Sequence, residues 1–190
     1  MASQPSRRRA DAQRNRERLL AAAEAALNAD GVNASLDDIA KAAGVGNATL
    51  YRHFPTREKL IEAVYDHRIR ALCDAAGELA ASGEAGEALV DWLRAVVCHI
   101  TQSQVLGDAF MAAYEGPADV EPPQIIAWHR ALREVAAPLL GAAQAAGAVR
   151  PDLDVVELLA LTTAVARAGN PAQAGHFLGF LLEGIVPRPG

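Results

Sequence analysis

Between Ser35 and Phe54 the chain reads SLDDIAKAAGVGNATLYRHF, two short helix-forming stretches on either side of a Gly-Val-Gly turn. Ser35 is placed to cap the free amides of the first helix, with Asp38 three residues on as in a capping box and Asp37 and Asp38 at its positive end. Gly44 stops that helix, Val45 turns inward between the two glycines, and Pro55 closes the second helix after Phe54. Two short helices joined by a tight glycine turn form a helix-turn-helix. Leu50 and Phe54, four apart, share one face of the second helix. Asn47, Thr49, Tyr51, Arg52 and His53 spread over the rest, and three consecutive polar side chains of long reach cannot all face a core. That outer face is expected to meet something outside the domain.

The flanking sequence is helical too. Alanine and leucine dominate, aromatic residues make up only 5%, and β-branched runs with period-two alternation are hard to find, so the chain is read as all-α. A first helix is expected over Asp11 to Ala29, with Leu19, Leu20, Ala23, Ala26 and Leu27 as its apolar stripe and Gly31 as its C-cap. Thr56 caps a helix running to about Ala81, roughly 25 residues and about 40 Å long. Such a helix spans two modules, and the boundary is placed within it. ASGEAGE then reads as a flexible connection. Helices follow near Glu87 to Gln102, Val105 to Tyr114, Pro123 to Ala146, Asp154 to Arg167 and Pro171 to Ile185, about nine in all, with EGPADVEPP and GAVRPD as loops and a frayed PRPG tail. The expected organisation is a basic, disordered arm over 1–10, a helix-turn-helix domain over 11–60 and a helical domain over 61–190.

Charge is unevenly divided. The formal net charge is −5, yet the first 59 residues hold ten basic side chains against seven acidic, while the remainder holds eight against sixteen. A positive segment on an acidic body is the pattern of a local nucleic-acid surface. Cys73 and Cys98 lie in apolar helical segments without CxxC spacing, so neither a disulfide framework nor a zinc site is suggested. No signal-peptide core and no long apolar run occurs, and a cytoplasmic protein is expected.

The stretch from Arg16 to Leu60 resembles the DNA-binding domain of the tetracycline-repressor (TetR) family of bacterial transcription regulators. The matching marks are Leu19 and Leu20, Gly31, the IA and AGV elements between Ile39 and Val45, TLY and HF between Thr49 and Phe54, and Arg57 with the apolar pair Leu60 and Ile61. The resemblance implies a three-helix, homeodomain-like N-terminal domain followed by a ligand-binding and dimerisation domain. It makes Asn47 and Ala48 base-facing in the major groove, where Asn pairs with adenine and an Ala methyl meets a thymine methyl. It assigns Thr49, Tyr51 and His53 mainly to backbone contacts and matches Arg57 to a basic residue that would meet a phosphate. Arg52 projects outward and is suited to guanine. The sequence departs from the pattern at Gly46, where a serine cap is common, at Ala48, and at Asp37, whose charge is repulsive near phosphates.

In the family the C-terminal helices form a dimer interface and enclose a ligand pocket. The stripes Leu158, Leu161, Thr162 and Val165, and Phe177, Phe180 and Leu181, suit dimerisation, and Gly175 and Gly179 stand one turn apart. Trp92, Val96, His99, Phe110, Met111, Tyr114, Trp128 and Leu132 are the candidates for an apolar pocket with sparse polar handles. The expected function is a ligand-responsive regulator, a repressor binding a palindromic operator as a homodimer and released by a small apolar molecule, with no membrane partner, cofactor, metal or catalytic residue. Alternatives are a helical enzyme, for which the five scattered histidines and the absence of HExxH or Gly-x-Ser-x-Gly offer little, and a small-molecule-binding protein with a vestigial helix-turn-helix.

Overall fold

The computed structural model describes residues 4–112 and 120–186, and among these the regular structure is entirely helical. The elements are α1 (Gln4–Asp30), a 3-10 turn (Gly31–Asn33), α2 (Leu36–Ala42), α3 (Asn47–His53), α4 (Arg57–Ser82), α5 (Ala85–Ala112), α6 (Pro123–Ala145), α7 (Val155–Arg167) and α8 (Pro171–Ile185). Tyr114, most of the EGPADVEPP loop and the PRPG tail lie outside the described residues.

Three sequence expectations about the elements are corrected. The first helix begins at Gln4 rather than Asp11, taking in most of the segment expected to be a disordered arm. Apart from Pro5, which a first helical turn tolerates, and Ser6, the segment Gln4 to Ala10 is Gln, Arg and Ala, all good helix formers. The two helices expected on either side of Ser103 are one helix, α5. The polar residues at that point are accommodated within it: Thr101 Oγ1 donates to the Cys98 carbonyl, and Ser103 is buried as the acceptor of a bond from Arg68. ASGEAGE contributes only Gly83 and Glu84 to the α4–α5 connection. Gly86 then allows close approach, since a Cβ there would lie 2.8 Å from the Ala148 side chain.

By contacts the chain forms two compact units, Met1–His67 with Val105–Glu115, and Arg68–Gln104 with Gly116–Gly190. In the first, Leu19, Leu20, Ala23 and Leu27 of α1 pack with Ile39, Ala40 and Ala43 at α2, Leu50 and Phe54 at α3, Leu60, Ile61 and Val64 of α4, and Leu106 of α5. In the second, α6 packs on α7 and α7 on α8, burying Leu139, Leu140, Leu158, Ala166, Leu178 and Ile185. The ends of α7 and α8 are sharply specified: Asp154 with Glu157, and Asn170 with Gln173, each form a reciprocal capping box. Gln144 Nε2 donates to the Arg150 and Leu153 carbonyls, fastening the segment that leads into α7.

The turn between α2 and α3 rests on Gly44, whose φ of 66° lies in the left-handed region. Its amide donates to the Lys41 carbonyl and that of Val45 to the Ala40 carbonyl, a Schellman ending that satisfies the last carbonyls of α2. A side chain at Gly44 must adopt a conformation costing about 1–2 kcal/mol. Gly44→Ala should therefore lower the free energy of unfolding by that amount in urea titration. Gly46→Ala, at a φ of −80° with open space around it, should change it by less than about 0.5 kcal/mol.

Candidate nucleic-acid interface

The second helix of the helix-turn-helix is held by two side chains and exposes the rest. Leu50 and Phe54 are buried in the first unit's core, while Asn47, Ala48, Tyr51 and Arg52 are exposed and Thr49 and His53 are partly so. Tyr51 remains 48% exposed, large for an aromatic ring on a helix otherwise anchored by apolar contacts. Gly46, at the N-cap, offers no side-chain bond to the helix amides, in keeping with the departure read from the sequence.

The charged and polar groups around this face have defined partners. The Arg16 guanidinium lies 5.7 Å from the centroid of the Phe54 ring, a cation–π distance that ties α1 to the end of α3. His53 packs a tilted ring against Phe54, and partial burial, then the nearby charges of Arg52 and Arg16, lower its pKa. A lowered pKa favours the neutral imidazole, which can both donate and accept. Asn47 Nδ2 donates to Asp37 Oδ1 at 2.6 Å, joining the first residue of α3 to the first turn of α2. The sequence marks Asp37 as an acid at the positive end of α2 and as a repulsive departure near phosphates; a bond between residues ten apart has no periodic signature.

Arg57 carries a duty that the sequence did not foretell. Its Nη1 donates to the carbonyls of Val32 at 2.8 Å and Ala34 at 2.6 Å, fixing the α1–α2 connection to the first turn of α4. Both hydrogens of Nη1 face protein carbonyls, so a phosphate contact would fall to Nη2 or Nε.

The residues expected to line an effector pocket fall in different surroundings. Trp92, Val96, His99 and Trp128 are buried within the second unit and Leu132 is partly so, while Phe110 and Met111 belong to the first unit, Met111 being 46% exposed. The Trp92 indole N–H donates to the Leu72 carbonyl at 2.9 Å, so its polar handle is already engaged in holding α5 to α4. Near it, Arg68 Nη1 donates to Ser103 Oγ at 2.6 Å, and Ser103 Oγ stands 3.4 Å from His99 Nδ1, a buried polar chain that apolar periodicity could not reveal.

Of the expected dimer residues, Leu158 and Thr162 are fully buried within the chain, Thr162 Oγ1 donating to the Leu158 carbonyl. They belong to intrachain packing and are corrected accordingly. Leu161 and Phe180 are exposed, and Val165, Phe177 and Leu181 are partly exposed. Val156, absent from the sequence-based set, joins the exposed apolar residues of α7. A surface depression gathers Leu153, Leu161, Phe180, Leu181 and Ile185 with Arg150, whose guanidinium pairs with Asp152. A Cβ at Gly175, Gly179 or Gly184 would meet nothing within 4 Å among the described residues.

Together these features define an all-helical chain with an N-terminal helix-turn-helix and a separate helical body. Residues 19–64 match the family model for bacterial regulatory proteins of the tetR family, and residues 84–187 match that for the C-terminal domain of SbtR-like transcriptional regulators. A TetR transcriptional regulator from Streptomyces coelicolor superposes with a TM-score of 0.76 at 33% identity over 92% of this chain and 99% of that one. A TetR transcription regulatory protein from Mycobacterium vanbaalenii gives 0.75 at 35% identity over 94% and 99%. The chain belongs to the TetR family of transcriptional regulators. It is also 38% identical over 119 residues to the HTH-type transcriptional repressor LfrR of Mycolicibacterium smegmatis, a match spanning 61% of this chain and 58% of that curated relative. No helix among the described residues is long and apolar enough to cross a membrane.

Burial, and next the charge of Arg68, lower the pKa of His99 to about 4. The unfolded chain, with an ordinary histidine near 6.5, takes up the proton first as the pH falls. His99 should therefore make stability decline from about pH 6.5 down to about pH 4 and contribute no further change below, a loss on the order of 3 kcal/mol. Urea titrations over that range should show a shallower decline for His99→Gln than for the natural chain.

Proposed function

We infer that this chain is a DNA-binding transcriptional repressor, working as a homodimer on a palindromic operator and released when a small, largely apolar molecule binds its C-terminal unit. The observation that carries the reading is the division of α3: Leu50 and Phe54 are sunk in the core, and Asn47, Ala48, Tyr51 and Arg52 are turned outward from a rigid support. Such a helix fits a major groove, with its N-terminal residues at base edges and neighbouring polar groups on the phosphates. Membership of a regulator family and the likeness to the repressor LfrR support the same reading.

A two-fold operator needs a second recognition helix about 34 Å away, or a multiple of that helical turn, which a second copy supplies. The α7–α8 face supports that role. Phe180 is 59% exposed and Leu161 and Val156 are exposed beside glycines that face open space, an apolar surface of the kind that closes against its own symmetry mate. The effector reading rests on family membership and on the aromatic residues of the second unit.

Selection from a randomised double-stranded DNA pool should return a palindrome, with affinity falling steeply as salt rises. Asn47→Ala should relax the base preference at one position of each half-site, whereas Tyr51→Phe should weaken binding to all sequences alike. Light scattering should give a particle of twice the 20.0 kDa chain mass, and Phe180→Glu should return it to the single-chain value. A natural chain that stays monomeric at micromolar concentration, or a pool that emerges unenriched, contradicts the reading.

A further inference from the structure

Asp37 and Asn47 are both exposed, in a region read as facing a polyanion, and an acidic side chain there is costly unless it performs a task. Their contact suggests the task. Asn47 Nδ2 lies 2.6 Å from Asp37 Oδ1, and chemistry fixes its direction: a carboxylate only accepts, so the amide nitrogen, not the amide oxygen, must face it. A carboxamide nitrogen has two hydrogens, one on the side of Oδ1 and one on the opposite side. The bidentate pairing with adenine uses Oδ1 with the hydrogen on its own side. The opposite hydrogen suffices for Asp37, so one carboxamide can serve both partners at once.

We propose that Asp37 is a specificity-determining positioning residue: it clamps the Asn47 carboxamide so that its donor and acceptor are presented to a base edge in the one orientation that matches adenine. The inference deepens the DNA-reading function given above and rests on it. An unclamped Asn47 can rotate about two torsions and turn its amide over, presenting the pattern in either sense. With the carboxylate in place, the turned-over amide would set oxygen against oxygen. Asp37 thus acts through Asn47 and need not touch DNA. Ser35 Oγ accepts from the Asp38 amide, which leaves the start of α2 capped independently of Asp37.

The test is sequence selection by the full chain from a randomised duplex pool, comparing natural protein with D37N, D37A, N47A and the double variant D37A/N47A, each checked for an unchanged thermal midpoint. N47A should flatten the preference at one base-pair position per half-site. D37A should reduce the preference at that same position by roughly threefold to tenfold, and the double variant should be no flatter than N47A. D37N, whose amide can accept from the Asn47 nitrogen or, turned over, donate to its oxygen, no longer excludes the wrong orientation and should lose preference at that position, though less than D37A. Both replacements of Asp37 remove a negative charge near phosphates, so their affinity for unrelated DNA should rise. In D37A affinity and discrimination then move in opposite directions, which loss of folded protein cannot produce. A preference lost at a different position would make Asp37 a direct base reader and overturn the proposal, as would additive losses in the double variant or a preference unaltered in D37A. A natural chain without any sequence preference would instead overturn the DNA-reading function, and the clamp with it.

Discussion

Helices of seven residues do not persist in water, because each nucleus fixes several dihedral angles for very few hydrogen bonds. α2 and α3 exist because Ile39, Ala40, Leu50 and Phe54 are removed from water against Leu19, Leu20 and Ala23 of α1 and Leu60, Ile61 and Val64 of α4. Everything on the outer face inherits its position from that shared core. Tyr51 and Arg52 can stay exposed without costing the helix its place, since Leu50 before them and Phe54 after them carry its attachment. The backbone of so well anchored an element has little further freedom to lose on meeting a partner, and the ordering cost falls on exposed side chains such as Arg52.

The second unit uses its polar residues differently. Trp92 donates to the Leu72 carbonyl and Arg68 to Ser103, whose Oγ stands beside His99 Nδ1, inside a helical body where polar groups need such partners. Ser103 shows why the polarity of a segment misleads: a hydroxyl on the inner side of α5 reads as a loop residue in the sequence but is a buried acceptor for Arg68 in the structure. Such a chain of bonds specifies how α4 and α5 pack more narrowly than leucines alone, whose contacts tolerate sliding.

What could be read from the sequence was whatever is encoded within about five residues. The caps at Ser35 and Thr56, the glycine turn at Gly44 and the buried pair Leu50 and Phe54 all belong to that class, and the structure holds each in the expected place. The starts of α7 and α8 at Asp154 and Asn170 do too. What was not legible depends on which residues meet across distance. The sorting of Leu158 and Thr162 to the inside of α7, with Leu161 and Val156 outside, turns on where α6 and α8 lie and not on apolarity, which all but Thr162 share. The Asp37–Asn47 bond and the grip of Arg57 on Val32 and Ala34 likewise arise only once the chain has folded back on itself.

That grip gives the long helix α4 a mechanical character. A fork of two hydrogens set on two carbonyls of one connecting strip resists sliding and twisting together, where a single apolar contact would resist neither. The first turn of α4 and the strip that launches α2 are therefore geared: neither can shift without dragging the other or breaking two short bonds. A shift of the first turn of α4 would be handed to the strip before α2 as rigid displacement rather than dissipated in a slack hinge. Arg57 is in this sense the tooth of a gear between the first turn of α4 and the strip before α2.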